Sequence, residues 1–232
     1  MGIRELIAPP ASDLSSYQAP MNYEFAGKTL ELHFDGGGTA TFAFTDFPSC
    51  GVSVDGSLQK LPYHCVKVAD TVFFLTYLVR DAYVAITLDS GTGSATRVTV
   101  DGGLRIAHVF GAIGSGANAG THAPAHGLTG VVTWTFGKKA SSVFTVAYGD
   151  DTAAITSAGI PDALAVSDFS AVRITDAIIL QTAIVTAGGR KNAVVLLSNF
   201  YNATSAGGVF RVTADEGAVC TPLGGYGRFA EG

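Results

Sequence analysis

Charge is what this sequence has least of. Only 14% of its residues are Asp, Glu, Lys or Arg, against about a quarter in an average domain. The 14 basic residues are scattered through a chain of net charge -5. That excludes a nucleic-acid partner, whose binding needs clustered Lys and Arg to release counterions. Cysteine is scarce too. Cys50, Cys65 and Cys220 are odd in number and show no C-x-x-C spacing, which argues against a disulfide framework or zinc knuckle and reads as small buried residues in a reducing compartment.

Several other features are missing. No apolar run approaches the roughly 20 residues that span a bilayer, so no membrane span is expected. The start, Met1 to Pro10, has no basic segment followed by an apolar one, and Leu6 stands where a myristoylation signal carries Ser or Thr. A cytoplasmic location is expected. Gly-x-Ser-x-Gly is absent, and Gly114-Ser115-Gly116 lacks the strand-to-helix setting of a hydrolase nucleophile. The run Gly114 to Gly120 has no Lys-Ser/Thr ending, so it marks a boundary rather than a phosphate cradle. His122 and His126 have the spacing of helical metal ligands, but Pro124 between them breaks a helix. Neither a metal nor a cofactor is expected.

What is present is a repeat. Val66-Lys67-Val68-Ala69-Asp70 and the apolar run to Val79 return as Val172-Arg173-Ile174-Thr175-Asp176 and the run to Val185. The offset is 172 minus 66, or 106. Each copy alternates, pauses at Asp and resumes as a β-rich run, the pattern of a hairpin rather than a helix. Gly27 to Leu32 finds a counterpart in Gly130 to Thr135, and Arg97 to Asp101 in Arg211 to Asp215. Short strands at regular spacing, starting with Thr29 to Phe34 and the turn Asp35-Gly36-Gly37-Gly38, predict an up-and-down meander. The expected organisation is an arm over 1–24, one β-meander half over 25–115 and a second over 116–232. The two halves form either one compact unit or a pair of barrels.

Gly27 to Gly37, Tyr63 to Asp70, Val84 to Asp89 and Gly111-Ala112-Ile113 resemble the MoaF family. The resemblance is best in the first half. It implies an all-β, lipocalin/calycin-like antiparallel β-barrel, whose relatives bind small molecules in the lumen or act as cofactor-independent lyases, isomerases or cyclases.

In such a barrel an inward-pointing polar residue is the informative kind. His33, His64, Tyr77 and His108 are the candidate catalytic residues, suited to proton transfer because imidazole titrates near neutrality and a tyrosine hydroxyl can donate to developing charge. Tyr63, Arg97, Trp134 and Tyr148 are candidate ligand-binding residues. Arg97 and its counterpart Arg211 also fit a structural role, pairing with Asp101 and Asp215. Tyr77 matches Ala183 and His64 matches Ser170 across the repeat, so the site is expected in the first half, with the second acting as a wall. Two functions suit this pattern. One is a cofactor-free enzyme acting on a small apolar molecule by isomerisation, cyclisation, dehydration or decarboxylation in a biosynthetic pathway; the other is a non-catalytic carrier of such a molecule. A third arrangement, a structural module filled by Phe, Leu and Tyr, needs no ligand. The oligomeric state, a homodimer included, is open.

Overall fold

Leu30, Leu32 and Phe34 alternate with Glu31 and His33, so the first strand offers one apolar face. A sheet built from such strands can bury that face and remove its edges by curling until they meet. The computed structural model closes a barrel in this way twice. It describes residues 14, 16–44, 49–54, 57–114, 122–157 and 159–230. The segment 115–121 and most of the arm lie outside the described residues, as does the Cys50 side chain.

The first barrel runs through β1 (Thr29–Phe34), β2 (Thr39–Ala43), β3 (Ser49–Val54), β4 (Ser57–Lys67), β5 (Val72–Val79), β6 (Ala82–Asp89), β7 (Ser94–Val100) and β8 (Ile106–Ile113). Each strand pairs antiparallel with the next, and β8 returns to β1. After β9 (Ala123–Pro124) the second barrel runs through β10 (Gly130–Thr135), β11 (Val143–Gly149), β12 (Thr152–Ser157), β13 (Ile160–Arg173), β14 (Ile178–Ala187), β15 (Arg190–Asn199), β16 (Thr204–Thr213) and β17 (Gly217–Phe229). Pairing of β17 with β10 and of β12 with β13 closes it, while β9 lies along the far end of β13. The fold is therefore all-β, two closed antiparallel eight-stranded barrels of the calycin-like kind. Among the described residues no helix is long and apolar enough to cross a membrane.

The closures use the same device. A Cβ on Gly111 would run into the His33 carbonyl and Phe34, and one on Gly225 into the Thr135 carbonyl and Phe136. Glycine lets the last strand of each barrel pass under a phenylalanine, Phe34 at the end of β1 and Phe136 just after β10.

The repeat is preserved in the hydrogen bonds. Lys67 pairs with Phe73 and Arg173 with Ile179, both shifted by 106. The Val68 and Ile174 amides donate to the Val72 and Ile178 carbonyls, each at 2.9 Å. At the next turn Asp89 Oδ1 accepts from the Gly91 amide at 2.9 Å and Asn199 Oδ1 from the Tyr201 amide at 3.0 Å. These anchors correct two of the sequence pairings. The offset of 103 sets exposed Glu31 against fully buried Trp134, whereas the buried faces align Leu30 with Val132 and Leu32 with Trp134. A one-residue slip inverts a strand's faces, so the true offset there is 102. Counted from the Asp89 and Asn199 turns, Arg97 corresponds to Gly207, not Arg211.

The chain divides into Pro20–His122, the first barrel, and Met1–Ala19 with Ala123–Gly232, the second. The division falls at His122 rather than at 115, and the arm goes with the barrel more distant in sequence. Leu14 is buried in the second barrel's core, and the Tyr17 ring meets Tyr226 edge-on at 5.8 Å. Gly224 makes the seat, since a Cβ there would strike the Gln18 Cα and the Tyr17 carbonyl.

Candidate functional site

Strand parity sorts the expected residues into two groups. Tyr63 and Tyr77, Cα partners across β4 and β5, point into the first barrel. Their rings pack on Phe44 at 5.2 Å and Phe42 at 5.9 Å. Arg97 lies on the face of Ala95 and opposite inward-facing Val109, with its guanidinium 4.3 Å over the Phe34 ring. Asp101 is not its partner, because that carboxylate takes Arg105 at 2.6 Å, and Arg211 reaches Glu216 at 3.5 Å rather than Asp215.

The three imidazoles point the other way. His33 alternates with the buried leucines and lies 3.0 Å from Glu31. His64 stands between inward-facing Tyr63 and Cys65, and His108 is the cross-strand partner of Val98, on the face opposite Arg97. Burial lowers the pKa of both His64 and His108. The expected convergence of histidines and tyrosines on one lumen is therefore not what the structure builds. His33 sits one residue from Leu32 and Phe34, and a period of two sends neighbours to opposite faces.

The remaining titratable groups are also separated. His122 Nδ1 is 2.6 Å from Thr96 Oγ1, and burial pushes its pKa down to about 4. His126 meets Asp151 at 2.9 Å. Burial, with the Glu24 charge adding to it, pushes the Cys65 thiol up to about 12, so it stays protonated.

The first barrel is packed by Phe42, Phe44, Tyr63, Phe73 and Tyr77. A cavity lies in the second. Its volume is about 120 Å³, and its lining includes Trp134, Phe136, Phe144, Leu164, Leu196 and Leu223. Leu14, from the arm, completes the wall. Asn192, 4% exposed, is the one lining residue with a polar side chain.

The two interiors differ at matched positions. Val146, on the cavity wall, stands where the first barrel has the Phe42 ring, and Ala183 where it has Tyr77, while Phe144 and Trp134 stand where it has Ala40 and Leu32. The cavity thus lies in the half that was expected to be the wall.

Beyond Trp134 the interior of the second barrel turns polar. Trp134 Nε1 donates to the Tyr148 hydroxyl at 3.5 Å, and Tyr148 donates to Gln181 Oε1 at 2.9 Å. Burial raises the Tyr148 pKa against the opposing pull of these two bonds, which keeps the phenol protonated. Trp134 and Tyr148 are thus brought together, whereas Tyr63 and Arg97 belong to the first barrel. Sequence reasoning missed Gln181 and Asn192. The signal for Gln181 was its inward parity, shared with Ala183, and its match to Leu75 under the 106 offset.

No family model matches the chain, and no curated protein matches it. A solved structure named as a putative beta-lactamase from Burkholderia vietnamiensis is similar at 23% identity over 41% of this chain and 96% of that one. Its TM-score is 0.36, and it assigns this chain neither family nor activity.

Proposed function

We propose that the chain is a non-catalytic carrier holding a small, uncharged, mainly apolar molecule inside its second barrel. The observation that supports this is the apolar cavity of about 120 Å³ next to a short polar chain, the usual composition of a small-molecule site. An apolar cavity of about 150 Å³ in another protein takes up benzene, so a single-ring compound suits the space. The MoaF resemblance belongs to this reading, since barrels of that kind hold ligands in the lumen.

The second reading, a cofactor-free enzyme, is favoured by Tyr148. Its protonated hydroxyl, bonded to Gln181, is a potential proton donor to a bound substrate. The two readings separate by mass spectrometry of single-ring probes recovered after incubation with the protein. A carrier returns them unchanged, with uptake that saturates at one per chain. Recovery of a rearranged or dehydrated product overturns the carrier reading, and absence of uptake overturns both.

A further inference from the structure

Three buried polar groups in the second barrel have no counterpart in the first and no hydrogen-bond partner among the described residues. They are Gln181 Nε2, Ser198 Oγ and Ser205 Oγ, on side chains 6%, 0% and 5% exposed. All three face the barrel interior. Gln181 shares the face of Ala183 and Val185, Ser198 that of Leu196 and Val194, and Ser205 that of Val209. They are also neighbours. Ser198 and Ser205 are Cα partners, and Gln181 pairs with Leu196, two residues before Ser198.

The first barrel serves as an internal control. Counted from the matched turns, these positions are Leu75, Leu88 and Ala95, each 0% exposed and apolar. The fold therefore does not need polar side chains there. An unpaired buried polar group lowers stability, and groups that lower stability without structural need mark functional positions.

The geometry also fixes the direction of the missing bond. Gln181 Oε1 is held by the Tyr148 hydroxyl, which turns the amide's two N–H donors away from Tyr148. The serine hydroxyls can donate as well. The cluster holds no charged side chain, so a carboxylate would be desolvated without compensation.

We infer that Gln181, Ser198 and Ser205 form a hydrogen-bonding subsite for the neutral carbonyl oxygen of a small ligand whose apolar body occupies the cavity lined by Leu196, the cross-strand partner of Gln181. This rests on the carrier reading and adds the ligand's chemical class.

The test compares acetophenone, ethylbenzene and benzoate, read by the fluorescence of Trp134, the sole tryptophan. Acetophenone is expected to bind about tenfold more tightly than ethylbenzene, the yield of one or two added hydrogen bonds, and benzoate not at all. Gln181→Leu should remove the preference for the ketone while leaving ethylbenzene binding in place. Ser198→Ala and Ser205→Ala should weaken acetophenone binding and leave thermal stability of the free protein unchanged or raised, a combination that structural hydroxyls would not give. Ethylbenzene binding with no ketone preference, or a preference that survives Gln181→Leu, overturns the subsite alone. Failure of every probe to bind overturns the carrier reading with it.

Discussion

The two barrels have the same wall and different interiors. Both are eight-stranded, both close over a glycine beneath a phenylalanine, and both turn at a paired Asp89 or Asn199. Inside, Phe42 and Tyr77 of the first barrel become Val146 and Ala183 of the second, and Leu75, Leu88 and Ala95 become Gln181, Ser198 and Ser205. The difference teaches that strand pairing and closure specify the barrel, while inward residues are free to diverge from aromatic filling to small and polar side chains. One copy fills its interior with Phe and Tyr rings, and the other leaves an apolar cavity.

Core truncation should break the comparison most sharply. Phe42→Ala, at a fully buried ring, is expected to cost about 3–5 kcal/mol in denaturant unfolding. Val146→Ala at the matched position should cost well under half of that, because fewer atoms are removed beside space that already exists. Equal losses would mean that the second barrel is packed as tightly as the first.

Enlargement should act in the opposite sense. Ala95→Leu inserts three carbons into a filled interior and is expected to cost about 1–3 kcal/mol. Ala187→Leu, on the cavity wall, should be neutral or stabilising while abolishing ligand uptake. The arm supplies a third contrast. Gly224→Val forces Tyr17 and Gln18 off their seat, so it should withdraw Leu14 from the cavity wall and speed ligand exchange. Limited proteolysis should then cut the arm sooner.

The last contrast is in pH dependence. Burial lowers the folded-state pKa of His64, His108 and His122, the last to about 4. Below about 6.5 the unfolded chain binds protons that the folded chain refuses, so their contribution is complete above that pH and is lost as pH falls toward the folded values. Denaturant midpoints of the first barrel's unfolding should decline from pH 7 to pH 4, and His122→Asn should flatten part of that decline. A midpoint that rises on acidification would contradict the assignment.

The architecture was legible because duplication writes it twice. The 106-residue offset located one hairpin in both copies to the residue, and Gly36 and Gly37 announced the first turn. The pairing of Gly27 with Gly130 failed because matching glycines outweighed face parity, and parity is what a closed barrel obeys. The site was less legible. His33, His64 and His108 drew attention as imidazoles, yet His33 could be placed outside from its leucine neighbours alone. Gln181, Ser198 and Ser205 are ordinary residues in sequence and become conspicuous only when the register sets them against Leu75, Leu88 and Ala95. The seating of Leu14 in a barrel that begins more than a hundred residues later was not readable at all, because it depends on a tertiary contact at Gly224.

Trp134 lines the cavity and is the protein's only tryptophan, so its emission reports on the second barrel alone. Titration with acetophenone is predicted to give a saturable change in that emission, which Ala187→Leu abolishes and Tyr77→Phe, in the first barrel, leaves intact. A response that persists unaltered in Ala187→Leu, or is lost in Tyr77→Phe, would contradict the proposed binding site in the second barrel.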